Sequence, residues 1–288
     1  MLWRHYNDRA ALDAQFSLDT ARDLPAAMQR RLDLSAEARA RVPNRLKVPY
    51  GPGPEATLDL FLPPAGSGPA PVLLFIHGGF WKALDAATFS FVGGAYAPAG
   101  ALVAVIDYPL IPSVRLGTIA DAVMASIAWV ARHAGEHGGD PARIHVSGHS
   151  AGGHLTALAL DPARQAAAGI PAGAVKGGVA ISGVFDLTPV PLSVLRDPLD
   201  FTADEVATLS PQKAVPSGAA RLVVAVGGAE TQEFVDQSLD YARAWAGAGN
   251  PVDLHVVAQA HHVDILTTAF GKPGAPLHTA VLRQMGLG

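Results

Sequence analysis

The chain has 288 residues, 49% of them hydrophobic and 16% charged, which supplies one large core and excludes a charge-rich disordered chain. Its 21 Lys and Arg against 25 Asp and Glu give a net charge of −4, so there is no basic face for nucleic acid. With no cysteine, disulfides, thiolate catalysis and cysteine-ligated zinc are excluded together, and neither a metal nor a cofactor is expected.

In chain order, the opening "MLWRHYNDRA" carries charge where a secretion signal needs an apolar core, and no apolar run approaches a membrane span. A soluble, cytoplasmic protein with no membrane partner is expected. Residues 1–45 are polar and helical in tendency and are expected to form an N-terminal arm, with Ser35 in "LSAEARA" capping a short helix. "RLKVPYGPGPEATLDLFLP" then gives two strands around a Pro/Gly turn.

Beyond the hairpin, short apolar runs alternate with helical segments: "PVLLFIH", "ALVAVIDY", "RIHVSGH", "VKGGVAIS", "ARLVVAVGG" and "VDLHVVA". Continuous apolar strands separated by helices predict an α/β fold: a mostly parallel central sheet with helices on both faces. Residues 186–218 break this rhythm, being too long for a simple connection and too rich in proline for one helix. A small cap insertion over the ligand end of the sheet is expected there, within one domain spanning 1–288.

The strand "RIHVSGH" runs straight into the helical "SAGGHLTALAL", with Ser150 between Gly148 and Gly152 in the pattern G-x-S-x-G. A serine at the tip of a sharp strand-to-helix turn is a candidate nucleophile, because the missing side chains let strand and helix approach closely. The hydroxyl still needs a base, and the base a third group to hold it. In the order nucleophile, acid, base, the acid follows a late strand and the histidine follows the last one. Glu230 stands just past "ARLVVAVGG", and His261 and His262 stand just past "VDLHVVA".

Glu233 and Asp236 lie farther into the following helix, where acidic residues ordinarily favour the N-terminal turns, and Asp264 is too close to the histidine pair to orient either ring easily. Glu230 is therefore the candidate acid, while the two histidines remain open. An oxyanion needs preorganised donors, which "FIHGGFW" offers through the backbone at Gly78 and Gly79, and Ala151 offers at the start of its helix. His77 is read as a brace for that loop. Phe80, Trp81 and Phe185 are candidates for an aromatic substrate wall, with Phe80 closing the acyl side.

Taken together, "HGGFW", "GHSAGGHL", "ISGVFDL", "VGGAETQEFVDQS" and "HHVD" resemble the arylformamidases (kynurenine formamidases) of the α/β-hydrolase fold and their bacterial esterase-like relatives, over roughly residues 46–270. Hormone-sensitive-lipase-type esterases typically carry a third glycine where this chain has Phe80. The resemblance implies an α/β-hydrolase fold and Ser150, Glu230 and His262 as nucleophile, acid and base, selecting His262 over His261. It also marks a departure, since family members usually have aspartate at the position of Glu230.

The implied substrate is a small-molecule formamide, N-formylkynurenine being the type, or a short-chain ester. A hydrolase-fold binding protein without catalysis would leave gaps in the triad or oxyanion loop, and none is visible. Oligomeric state is not fixed by the sequence, and a homodimer is compatible with it.

Overall fold

The computed structural model describes residues 1–17 and 23–288, so the expected arm is described apart from residues 18–22. Among the described residues one eight-stranded sheet carries the fold. Its strands are β1 (Asn44–Pro49), β2 (Thr57–Phe61), β3 (Ala70–Ile76), β4 (Leu102–Ile106), β5 (Gly139–His149), β6 (Val175–Ile181), β7 (Arg221–Gly227) and β8 (Val252–Val257), in the spatial order β1-β2-β4-β3-β5-β6-β7-β8. β1 pairs antiparallel with β2, and β2 antiparallel with β4. Every other pairing is parallel. This is the α/β-hydrolase arrangement.

The helices are α1 (Arg9–Asp13), α2 (Leu24–Arg41), α3 (Phe91–Tyr96), α4 (Leu116–His133), α5 (Ala151–Ala159), α6 (Pro162–Ala167), α7 (Arg196–Leu199), α8 (Ala203–Thr208), α9 (Gln232–Gly247) and α10 (Pro276–Met285). They cover both faces of the sheet, and the side-chain alternation of β3 shows how. Val72, Leu74 and Ile76 point into a core shared with Ile119 and Ile127 of α4, Leu155 of α5 and Trp245 of α9. Leu73 and Phe75 point the other way, into a core with Val92 and Tyr96 of α3 and Val281 of α10. Burying each such side chain contributes roughly 1.5–3 kcal/mol, which is why these strands read as unbroken apolar runs.

The expected helix beginning after Ser35 is not what forms. α2 starts at Leu24, where Asp23 caps it by accepting a hydrogen bond from the Ala26 amide at 3.1 Å and Pro25 sits in the first turn. Asp at the cap and Pro in the first turn are stronger start signals than a serine inside a run of good helix formers. Ser35 lies mid-helix and buried; its hydroxyl donates to the Thr88 carbonyl at 2.9 Å and accepts from the Phe91 amide at 3.1 Å.

The first residues are tied to α9. Trp3 Nε1 donates to Glu233 at 2.9 Å, Arg4 reaches Asp240 at 2.7 Å, and Thr231 Oγ1 donates to the Gln15 carbonyl at 2.6 Å. Glu233 is thus a buried anchor rather than an ordinary helix-end charge, and burial raises its pKa. Residues 186–218 form α7, α8 and short 3₁₀ turns that pack Leu187, Leu199 and Phe201 into the core. Glu205 of this segment pairs with Arg115 at the start of α4.

Candidate active site

The sheet reverses its order between β3 and β5: β4 lies outside β3 on one side and β5 on the other. Ligands of open α/β sheets bind where the carboxyl ends of the strands meet at such a point. Here β3 ends into His77–Gly78–Gly79 and β5 ends into Ser150.

Ser150 has φ 58° and ψ −117°, a conformation that costs a non-glycine residue free energy and holds it at the apex of the turn into α5. The surroundings enforce it. A Cβ on Gly152 would lie 2.0 Å from the Ile76 carbonyl oxygen, so α5 can start this close to β3 only with glycine there. The Ser150 amide is fixed by the Ile181 carbonyl at 2.8 Å. Ala151 is the first residue of α5, so its amide has no carbonyl within its own helix to bond.

Gly79 has φ 112°, and a Cβ there would lie 2.1 Å from the Ala83 carbonyl oxygen. The tight loop that follows puts Phe80 and Trp81 at φ 50° and 56°. Strain in two non-glycine residues is maintained by packing beneath them. Buried His77 is part of that packing: its Nδ1 donates to the Gly78 carbonyl at 2.7 Å, and its ring stacks on Tyr108 at 4.2 Å. Tyr108 in turn donates to the His77 carbonyl at 2.8 Å, so His77 braces the loop.

Of the two histidines past β8, His262 meets the acid. Its Nδ1 donates to Glu230 Oε2 at 2.6 Å, a charge-assisted distance. Glu230 Oε1 accepts from Ser182 Oγ at 2.5 Å and from the Gly227 amide at 2.7 Å, which fixes the carboxylate from behind. His261 turns elsewhere, and Asp264 accepts from the His261 amide at 2.7 Å instead of touching the His262 ring. His149 Nε2 donates to the His262 carbonyl at 2.7 Å, and its ring lies 4.5 Å from the His262 ring. Burial lowers the His149 pKa well below the usual value, so it stays neutral and serves as a strut.

Ser150 and His262 line one small cleft of about 80 Å³, partly open to solvent, together with Gly78, Gly79, Phe80 and His149. Its outer wall is made by Leu24, Met28 and Arg31 of α2 and by Leu84, Phe89 and Val263. None of these lining residues comes from 186–218, the segment expected to shape the site. That segment packs beside it and is fastened by His154 Nε2 donating to the Leu209 carbonyl at 2.7 Å.

A family profile described as BD-FAE matches residues 58–168. Kynurenine formamidases from Salmo salar and Danio rerio are each 29% identical, the first over 235 residues, covering 80% of this chain and 78% of those proteins. The carboxylesterase NlhH of Mycobacterium tuberculosis is 38% identical over 144 residues, 44% of this chain and 45% of that protein. Among solved structures, a thioesterase candidate from Silicibacter sp. TM1040 superposes with a TM-score of 0.81 at 28% identity, covering 93% of this chain and 97% of that one. The chain is a hydrolase of the α/β-hydrolase fold, similar to kynurenine formamidases and to esterases.

Two expected wall residues of this hydrolase are not at the cleft. Trp81 is 0% exposed, its indole Nε1 donating to His154 Nδ1 at 3.2 Å and its ring meeting Phe201 edge-on at 5.4 Å. Phe185 is likewise fully buried, stacked on Tyr241 at 4.3 Å. Both lie in the interior because a large ring gains more from complete burial than from a half-wet wall. Phe80 alone of the three lines the cleft.

The residues that the sequence reading missed lie on α2. Leu24, Met28, Arg31, Ser35 and Ala38 recur at spacings of four and three, which puts them on one helix face. That stripe was available as a signal, but it is broken by an arginine and a serine and so does not read as apolar. Ser182 was missed as well; the strand end "ISG" gives no local hint that its hydroxyl reaches an acid 48 positions later.

Proposed function

We propose that this hydrolase cleaves small acyl groups, formyl above all, from aryl amines, with Ser150 as nucleophile, His262 as base and Glu230 as the acid that orients it. The contact between His262 Nδ1 and Glu230 Oε2 at 2.6 Å carries this reading, because it leaves Nε2 as the acceptor nitrogen in a cleft that Ser150 also lines. Ser150 Oγ attacks the formyl carbon while its proton passes to His262 Nε2. The amides of Gly78, Gly79 and Ala151 receive the oxyanion. An amine anion is a poor leaving group, so the imidazolium returns the proton to the departing nitrogen as the carbon–nitrogen bond breaks. A water deprotonated by His262 then attacks the formyl-serine, and formate leaves as Ser150 recovers its proton.

The similarity to kynurenine formamidases over most of both chains supports N-formylkynurenine as the type substrate. Phe80 at the cleft, where a third glycine would open the acyl side, supports a small acyl group. Short-chain ester hydrolysis is the second reading, favoured by the local similarity to a carboxylesterase and needing less help to the leaving group. A panel of N-formylkynurenine against 4-nitrophenyl acetate, butyrate and octanoate, compared by kcat/KM, tests the choice. Formamidase activity requires efficient formate release from the amide; turnover of esters alone establishes the second reading. An octanoate optimum rules out the small acyl pocket. Labelling with a fluorophosphonate tests the machinery itself, which predicts an adduct on Ser150.

A further inference from the structure

Neither the hydrolytic chemistry nor the packing of the fold accounts for Arg31. It is 4% exposed, its Nε is buried with no partner, and among the described residues nothing hydrogen-bonds or ion-pairs with its guanidinium. Two more exposed arginines are paired. Arg39, eight residues along the same helix, reaches Asp59 at 2.6 Å, and Arg115 is held by Glu205.

The single contact that stabilises Arg31 is with a ring: its Cζ lies 4.7 Å from the centroid of Phe89. Stacking satisfies one face of a guanidinium. The five N–H donors point outward in its plane and still need acceptors, which an aromatic face cannot give to an edge. Closing off the Nε donor without an acceptor is costly, and a methionine or leucine of similar volume would avoid that cost. Arg31 instead faces the cleft that contains Ser150, His149 and His262. Burial lowers its pKa, but a guanidinium stays protonated through any physiological pH.

We propose that Arg31 receives a carboxylate on the substrate, so that this hydrolase acts on formamides or esters carrying an anionic group on the leaving side. The proposal rests on the reading of Ser150, His262 and Glu230 as the hydrolytic machinery. A carboxylate fits better than a phosphate dianion for two reasons. One guanidinium presents two parallel N–H groups matched to a planar carboxylate, and no second cation lines the cleft among the described residues, His149 being held neutral. The rest of the outer wall, Leu24, Met28, Leu84, Phe89 and Val263, is apolar and suits the carbon body that carries the charge.

The test uses pairs that differ only in charge: 3- and 4-acetoxybenzoate against 3- and 4-acetoxybenzamide. The wild-type enzyme is expected to prefer the benzoate by about tenfold or more in kcat/KM at one of the two positions, the range of a charge-assisted hydrogen bond. Arg31→Met should bring that ratio close to one, and Arg31→Lys should leave it in between. Calorimetric titration of wild type and Arg31→Met with benzoate and benzamide gives the same comparison without turnover. A wild-type ratio near one at both positions overturns the proposal even if Arg31→Met does not fold. So does an equal loss on both members of a pair, which marks a structural role. Failure of the hydrolytic reading looks different: no turnover of any member and no fluorophosphonate adduct on Ser150, with benzoate binding still deciding the role of Arg31.

Discussion

Replacing Glu230 by glutamine changes one carboxylate oxygen into an NH₂ group at almost constant volume, and the surroundings dictate which way the amide turns. One end of the side chain faces the Gly227 amide at 2.7 Å and the Ser182 hydroxyl at 2.5 Å; the other faces His262 Nδ1 at 2.6 Å. The Gly227 N–H belongs to the backbone and cannot turn away, so an NH₂ group there would set donor against donor in a buried place, costing about 1–3 kcal/mol. The amide oxygen therefore stays at Gly227, and the NH₂ group faces His262. Nδ1 must then accept, the ring proton moves to Nε2, and the nitrogen facing the cleft loses the lone pair that takes the serine proton. An inverted tautomer at this position costs about 10⁴ in kcat in other triads, equivalent to about 5.4 kcal/mol of barrier. Glu230→Gln should show a loss of that order in steady-state hydrolysis of 4-nitrophenyl acetate, with KM changed much less and the circular dichroism spectrum retained. A folded variant within tenfold of wild-type kcat would refute the assignment of the acid and the tautomer reasoning with it.

Ser182→Ala removes one of the two donors behind Glu230, and since a hydrogen bond to a charged group contributes roughly 1.5–3 kcal/mol, kcat should fall about tenfold or more while fluorophosphonate labelling of Ser150 persists. An unchanged kcat would show that the Gly227 amide alone holds the acid. Trp81→Phe keeps the buried ring and loses the donor to His154, so Tm should drop by about 2–4 °C per kcal/mol of lost hydrogen bond, with little change in kcat/KM for aryl substrates. A large selective loss on aryl substrates would return Trp81 to the pocket wall. Buried His145 has its pKa pushed down to about 4, and its Nδ1 has no partner. The unfolded chain therefore binds more protons than the folded one between about pH 6.5 and 4, so the stability contribution of this histidine is present above that window and lost as pH falls through it. His145→Gln should flatten the decline of Tm between those pH values; parallel curves for the two proteins would contradict it.

The parts of the molecule that were legible in the sequence are those whose signals are local. β3 and β7 are buried on both faces and read as nearly unbroken apolar runs, and G-x-S-x-G needs only neighbouring glycines to announce a turn. The placement of Glu230 after β7 and of a histidine after β8 follows from chain order. What was not legible depends on which distant segment lies against which. Residues 186–218 have the length and proline content of a ligand-end excursion, yet the cleft wall comes from a helix more than a hundred positions earlier in the chain. Ser35 has the chemistry of a cap and spends it on Thr88, in a 3₁₀ turn, and on Phe91 at the start of α3. Phe185 follows its strand as expected but finds a better partner in Tyr241 than in solvent-facing space.

The position of α2 along the chain has a bearing on how such an enzyme diversifies. Every group proposed to make or break bonds lies after residue 76, whereas three of the residues that line the cleft, Leu24, Met28 and Arg31, belong to α2. Part of the cleft wall is thus written in a stretch of the polypeptide far from Ser150, Glu230 and His262, joined to them in space by the seat that Asp59, Thr88 and Phe91 provide for the helix. Changes on the exposed and cleft-facing side of that first long helix can redraw the range of accepted molecules without disturbing the strained serine or its relay. A graft of the opening segment between relatives is accordingly expected to exchange substrate preference while leaving the proposed triad in place.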